Sequence, residues 1–380
     1  MTTPSTAAPA PTRVVRLNRV RQQMAARGVD ALLLSHGADL PWLTGYRAMP
    51  LERLTVLVLP RDGEAVLVVP GLEAPRVPDG SGAFALRPWA ETEDPVAVAV
   101  DLLGGRTGTL GVSDRAWATS LLAFQQRLPT AAWVPASTVT SALRAIKDAD
   151  EIAQLRAAAR SADRVAADLQ AGVIPLVGKT ESEVSEDIAA RLLAGGHRRV
   201  NFAIVGSGPN GASPHHEAGT RRIGRGEVVV CDFGGEYDNG GDVGYCSDIT
   251  RTVVTGAPDA EVAECYATLL EAQQAAVASV GPGVAAEEVD AVARGIIEGA
   301  GYGKYFIHRT GHGIGIEEHE DPYLVAGNRT PLVTGHAFSV EPGIYLSGRF
   351  GMRLEDIVVV GESGPDPLNN ADHALVVVEA

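Results

Sequence analysis

The stretch His308-Arg-Thr-Gly-His-Gly-Ile-Gly-Ile-Glu-Glu-His-Glu320 sets three histidines, three glycines and three acids into thirteen residues. Histidines four and seven apart, with glycines on both sides of the middle one, suit a backbone that lets several imidazoles converge on one point. A histidine cluster alone names no chemistry. It gains one from four carboxylates in strand-like surroundings elsewhere: Asp232, Asp248, Glu341 and Glu355. Asp232 follows the run Val228-Val-Val-Cys, Asp248 follows Gly244-Tyr-Cys-Ser, and Glu341 and Glu355 each interrupt an apolar strand pattern. A carboxylate so placed carries a large desolvation cost unless a cation meets it, although any one of them alone could close a turn or pair with a base. Four together with His312 make a hard, mainly oxygen donor set, suited to manganese, cobalt or iron rather than to a thiolate zinc site. Two divalent ions held there could share a water, lower its pKa and polarise a carbonyl, which makes amide hydrolysis the natural use.

Composition narrows the rest. A chain of 380 residues is long enough for about two domains with an ample core. Lys plus Arg total 32 against 47 acids, a net charge of -15 with no basic block, so nucleic acid and anionic membranes are not expected partners. Cys231, Cys246 and Cys265 show no paired spacing, which argues against a disulfide framework and fits a reducing cytoplasm. Residues 1–12 carry neither a basic start nor an apolar run and read as a disordered tail rather than a signal. No apolar run approaches the roughly 20 residues of a membrane span, and a soluble, cytoplasmic protein is expected.

Periodicity predicts a helix over 14–27 and a buried strand over 30–34. Further strands are expected at 54–59, 65–69, 83–86 and 109–112, with helices near 95–103 and 117–128. This alternation reads as a small α/β domain, residues 13–147. Lys147-Asp-Ala-Asp-Glu151 then opens a long amphipathic helix, and a second domain is expected over 148–380. Thr180 with Glu183 three residues on is a capping box that starts the next helix. Two more helical patterns cover 259–280 and 285–299. Strands are expected at 200–205, 227–233, 245–254, 337–344, 353–360 and 374–378. Strands mixed with long helices give the class α+β.

These motifs together carry a resemblance. His308-Arg-Thr-Gly-His-Gly-Ile-Gly with His319-Glu, Asp232-Phe-Gly followed by Ser247-Asp-Ile-Thr-Arg-Thr252, Glu341-Pro-Gly-Ile-Tyr345 and Arg353-Leu-Glu-Asp356 resemble the Xaa-Pro peptidases and methionine aminopeptidases, the pita-bread metallopeptidases. The match runs in order over about residues 148–380. The N-terminal domain is similar to that of prolidases and aminopeptidase P. The resemblance implies two divalent ions, manganese first with cobalt, zinc or iron as alternatives. Their ligands would be Asp232, Asp248, His312, Glu341 and Glu355, with Asp248 and Glu355 bridging. It further implies His215 on the substrate side, and His308 and His319 as donors to the scissile carbonyl and its oxyanion. Glu341 would shuttle a proton and Arg353 would hold the Glu355 carboxylate. His216 is expected to be a solvent-facing neighbour, and His36, His197, His336 and His373 to be structural.

The sixteen-residue step from Asp232 to Asp248 is about five residues longer than the family pattern, and its Gly/Asn-rich run suits a longer hairpin turn that keeps both strands in register. Asp242 is the alternative ligand, but it leaves the Thr-Arg-Thr context unexplained. Gly206-Ser-Gly-Pro-Asn-Gly211 has dinucleotide-loop spacing, yet Pro209 and Pro214 oppose the helix such a loop needs. His319-Glu-Asp-Pro-Tyr323 lacks the second histidine of a zinc-protease helix.

The family implies cleavage of Xaa-Pro bonds in dipeptides or short peptides by a homodimer. Prolidase (Xaa-Pro dipeptidase) activity is expected before aminopeptidase P activity. Residues 40–58 are similar to the N-terminal region of bacterial Xaa-Pro dipeptidases. Arg47, aided by Tyr46 and Asp39, is expected to read the substrate's C-terminal carboxylate through its two-pronged guanidinium. A non-peptidase pita-bread hydrolase or a binding module would be expected to have lost ligands, and here all five positions are filled.

Overall fold

The computed structural model describes residues 10–80, 82–238, 240 and 243–378. They form two compact units, one running to Arg144 and one beginning at Ala145, with the tip residues Gly240 and Val243 grouped with the first. Residues 1–9 of the expected tail lie outside the described residues, and residues 10–12 belong to the first helix instead.

The first unit contains α1 (Ala10–Arg27), β1 (Ala31–Leu34), α2 (Asp39–Thr44), β2 (Val56–Pro60), β3 (Val66–Pro70), β4 (Ala85–Trp89), α3 (Pro95–Leu102), β5 (Thr109–Val112), α4 (Ala118–Arg127), β6 (Ala132–Pro135) and α5 (Ser137–Ala145). Its mixed sheet has the order β4-β3-β2-β1-β5-β6. The central strand β1, an unbroken apolar run, is buried along its length and pairs antiparallel with β2 and parallel with β5. Val56, Val58, Val68 and Leu110 pack with Phe124 and Trp89 into its core. Three short elements were not read from sequence: α2, β6 and α5. The first stops at Gly45, whose left-handed φ of 75° lets its N–H reach the Pro41 carbonyl.

The second unit opens with α6 (Ala149–Gln170), α7 (Glu181–Ala194), β7 (His197–Ser207), β8 (Val228–Tyr237) and β9 (Tyr245–Val254). Both helices start on capping boxes, Asp148 with Glu151 and Thr180 with Glu183. In α6 Leu155, Ala158, Ala162, Val165 and Leu169 recur at helical spacing, and the later part of this stripe packs with Ile188, Phe233 and Ile249. A second pair of helices, α8 (Ala260–Ser279) and α9 (Ala286–Gly299), leads into β10 (Gly311–Gly313), β11 (Glu320–Leu324), β12 (Ala337–Val340), β13 (Gly343–Leu346), β14 (Phe350–Arg353), β15 (Asp356–Val360), β16 (Pro365–Pro367) and β17 (Val376–Val377). Leu269, Val289, Phe338, Ile344 and Val358 form their separate core.

The sheets have the orders β17-β9-β8-β7 and β11-β10-β12-β15-β16, with β13-β14 as a hairpin. Each half of the unit is thus two helices followed by antiparallel strands. The run 337–344, expected as one strand, divides at Glu341-Pro342 because Pro342 has no N–H for the ladder. The run 353–360 divides likewise between β14 and β15. Glu341 and Glu355 therefore stand at crossings between sheets rather than within strands. β8 and β9 stay in register from Val228–Val254 to Tyr237–Tyr245, as the longer turn predicts. Asp242 lies outside the described residues.

Candidate metal centre

Thr250 sits opposite Asp232 and Asp248 opposite Gly234 in the β8–β9 ladder. Residues two apart share a face, so Asp232 and Asp248 are diagonal neighbours on one side of the sheet. Thr250 shares that face and donates its hydroxyl to Glu355 Oε2 at 2.6 Å. His312 occupies the middle of β10, whose flanking glycines let the chain run close beneath it. A Cβ on Gly311 would overlap the Ser339 carbonyl oxygen, and one on Gly313 the Asp321 carbonyl oxygen. Ser339 then accepts from the His312 backbone N–H at 3.1 Å and donates to Glu341 Oε1 at 3.1 Å. The result brings His312 Nε2 to 3.2 Å from Glu341 and 3.7 Å from Asp248. One ligand atom each of Asp248, His312 and Glu355 lies within 4.8 Å of the others. Asp232 and Glu341 line the same cavity, which measures about 730 Å³.

The donor chemistry fits divalent cations. Asp232 Oδ1 is buried with no hydrogen-bond partner among the described residues. His312 Nδ1 donates to the Gly313 carbonyl at 3.1 Å, so in the neutral ring Nε2 presents a lone pair to carboxylates that are themselves acceptors. Burial, then the neighbouring carboxylates, push Asp248 and Glu355 well above the ordinary range. Burial also raises Asp232, against the pull of Arg353. Only Glu341 goes down: burial would raise it, but a protonated His312 ring, with His308 and Arg353 beside it, holds it at about 2. Buried acceptors that face one another are unfavourable until positive charge lies between them.

Arg353 organises the adjoining wall. Its guanidinium pairs with Asp232, donates to Thr250 Oγ1 at 3.0 Å and donates to the Tyr345 hydroxyl at 2.9 Å. The expected hold on Glu355 is therefore indirect, through Thr250, and the direct hold is on Asp232. Tyr345, raised to about 12 mainly by burial, stays protonated and lies 2.9 Å from His308 Nε2. His308 Nδ1 donates to the Arg309 carbonyl at 2.7 Å, and burial keeps its pKa below the usual value. Both of its ring nitrogens are thus engaged inside the protein. His319 faces the cavity beside His312, ring centroids 4.1 Å apart. Lost hydration and that neighbour draw its pKa down to about 4. His215 also lines the cavity, as do the apolar Phe202, Ile204 and Ile307.

The N-terminal part, residues 16–146, matches the Creatinase/Prolidase N-terminal domain, and residues 153–362 match Metallopeptidase family M24. The chain belongs to metallopeptidase family M24. Its fold is accordingly a creatinase/prolidase N-terminal α/β domain followed by a pita-bread catalytic domain. It is 44% identical over 366 residues to the probable dipeptidase PepE of Mycobacterium tuberculosis, covering 96% of each chain. The crystal structure of dipeptidase PepE from Mycobacterium ulcerans superposes with a TM-score of 0.91 at 43% identity, covering 98% of this chain and 99% of that one. Prolidase from Thermococcus sibiricus gives 0.88 at 38%, covering 95% and 98%.

In this M24 metallopeptidase the lining of the cavity comes from the second unit, whereas Asp39, Tyr46 and Arg47 belong to the first. Asp39 is buried, accepts from the Thr140 hydroxyl at 3.0 Å and pairs with Arg144 at 3.1 Å. Tyr46 donates to Glu73 at 3.3 Å. His216 is not a solvent-facing neighbour: it is half-buried, its Nε2 2.8 Å from Glu181. His197 is the expected core histidine, between the Leu192 carbonyl at 3.1 Å and the Ser247 hydroxyl at 2.8 Å. Sequence reasoning missed Tyr345, Thr250, Ser339 and Asp290. Asp290 accepts from Thr310 and from Arg294, which also donates to the His308 carbonyl, and so braces the start of the histidine stretch. Tyr345 and Thr250 stood inside motifs that were read for their acids, and nothing local marks Asp290. His319-Glu320 leads into strand β11, not a helix, which disposes of the zinc-protease pattern. No described helix is long and apolar enough to cross a membrane.

Proposed function

We propose that this M24 metallopeptidase is a dipeptidase that cleaves Xaa-Pro, with residues 148–380 as its catalytic part and residues 13–147 as an accessory domain. The observation that carries the chemistry is the convergence of Asp232, Asp248, His312, Glu341 and Glu355 on one cavity, with an unpartnered buried oxygen among them. Full-length similarity to proteins named dipeptidase and prolidase supports the substrate class. In this reading those five residues hold two divalent ions, manganese first, with cobalt, zinc or iron as alternatives. Bound there, the ions supply Lewis acidity that makes a water nucleophilic at neutral pH and polarises the scissile carbonyl.

The side chains do the rest. Glu341 takes up the proton released by water and returns it to the departing nitrogen. His319 is neutral at physiological pH and donates to the developing oxyanion. With its Nδ1 proton committed to the Arg309 carbonyl, His308 joins by accepting a substrate N–H at Nε2 in place of the Tyr345 hydroxyl, and His215 steadies the substrate from its own place on the lining. Arg353 keeps the Asp232 carboxylate from turning. The enzyme is read as a cytoplasmic homodimer, and its three free, buried cysteines agree with a reducing setting.

A cavity of about 730 Å³ lies within the range of roughly 300–1,000 Å³ typical of drug-sized ligands, so its size alone does not hold the substrate to a dipeptide. Length selection in this reading falls to Arg47, while Tyr46 and Asp39, named with it from sequence, are already engaged by Glu73 and by Thr140 and Arg144. Metal-stripped enzyme reloaded with Mn, Co or Zn is assayed on Leu-Pro, Ala-Pro, Ala-Leu and a Pro-containing tripeptide. Turnover of Leu-Pro and Ala-Pro far above the other two supports Xaa-Pro dipeptidase action. Equal turnover of Ala-Leu sinks the proline preference, and preference for the tripeptide favours aminopeptidase P. Arg47→Ala should lower turnover of dipeptides more than of tripeptides, and an equal loss on both removes the length-reading role.

A further inference from the structure

We propose that the buried Glu181 carboxylate, acting through His216, is a positioning group that aims His215 into the cavity. This rests on the reading above, in which His215 meets substrate. Glu181 is the first residue of α7 and is fully buried. A carboxylate at a helix N-terminus is favourable, but this one faces away into a loop and gathers the donors of a single segment. It accepts from the Ser207 backbone N–H at 2.8 Å, the Ser207 hydroxyl at 2.7 Å and the Asn210 amide at 3.0 and 3.1 Å. His216 Nε2 completes the set at 2.8 Å. Burial pushes the Glu181 pKa up, yet these donors outweigh it and hold the group below its ordinary value.

The segment is pinned at a second place as well. Arg353 donates to the Pro214 carbonyl at 3.3 Å, one residue before His215. Between the pins the chain forms a tight 3-10 turn, Gly208–Ala212, pressed against β14: a Cβ on Gly351 would overlap the Gly211 carbonyl oxygen, and one on Gly206 would come within 2.9 Å of Gly211 Cα. The glycines of the nucleotide-like pattern thus serve a close backbone approach. His215 makes no hydrogen bond of its own with the described residues. Its direction is set by the residues on either side, Pro214 on Arg353 and His216 on Glu181. Without its bond to Glu181, His216 no longer fixes its side of His215, and a misplacement of the order of 1 Å at a reacting group can cost about 100-fold in rate.

The test is a double-mutant cycle on metal-loaded enzyme with a dipeptide substrate, using His216→Ala, His216→Gln, His215→Ala and the His215→Ala/His216→Ala pair. His216→Ala is expected to lower kcat/KM about 30-fold in the parent but less than about 2-fold once His215 is gone, because the two act as one unit. His216→Gln, which keeps a donor at similar reach, should restore most of the activity. Melting temperatures recorded on the same samples identify any variant that fails to fold, and the glutamine variant then supplies the comparison. An equal loss in both His215 backgrounds, or no loss at all on His216→Ala, overturns the positioning role. If His215→Ala alone leaves kcat/KM unchanged, the substrate role of His215 falls and the positioning proposal with it, a failure that the single variant distinguishes from the others.

Discussion

Arg353 serves four partners at once: Asp232, the Thr250 and Tyr345 hydroxyls and the Pro214 carbonyl. A planar, always-charged fork can do this where a lysine cannot. Tyr345 is the link from that fork to His308, and Tyr345→Phe removes one hydroxyl while leaving the ring packed. We expect kcat/KM to fall ~10–100-fold, the scale of losing one positioned proton-handling group, with metal stoichiometry unchanged. Steady-state kinetics beside metal analysis checks it, and parent-like kcat/KM would remove Tyr345 from the site. The acids and His312 were legible in sequence because each breaks an apolar or glycine-rich pattern. Tyr345 was not, since its partners lie 37 and 8 residues away and no local pattern records such bonds. Arg251 was equally hidden. It is wholly buried in β9 and donates to Asp356 and to the carbonyls of Thr250, Glu355, Ala371 and Asp372, a role that only the folded chain defines.

Among elements, long helices were the easiest to foresee: α6 and α7 show both an apolar stripe and a capping box. Strand ends were harder. The runs 337–344 and 353–360 look continuous because both flanks of each break are apolar, and the break reflects where the partner strands are rather than what the residues prefer. Elements as short as the six-residue α2 carry too few residues for a period to show. One element junction makes a prediction of its own. His197, where α7 gives way to β7, is held neutral with a pKa of about 4 by burial, against about 6.5 when unfolded. The unfolded chain therefore binds the extra proton first as pH falls, so the stability His197 contributes is present above about pH 6.5 and is lost between there and about pH 4. Melting temperature measured from pH 7 to pH 4 should decline less steeply in His197→Asn than in the parent. Parallel curves would show that this histidine does not govern the slope.

On the scale of the molecule, the candidate ligands come from both halves of the catalytic unit: Asp232 and Asp248 from β8 and β9, and His312, Glu341 and Glu355 from the β10–β15 region. Ions that bind them tie the two halves and favour the folded state by mass action. Chelation should lower the melting temperature by about 5–10 °C, the effect expected for a site well above saturation in a unit of this size, and manganese should restore it. In Asp248→Asn the shift should nearly vanish, while the stripped variant melts above the stripped parent because one of the mutually repelling acids is gone. A variant that still responds to chelation like the parent would take Asp248 out of the ligand set. Descent acts on the same balance. A lineage released from catalysis gains stability when Asp248 or Glu355 is replaced, so decay of activity and improvement of the scaffold proceed through the same codons. Descendants that keep this architecture only for recognition should shed Asp248 and Glu355 early, and retain Arg353 only as long as Asp232 persists.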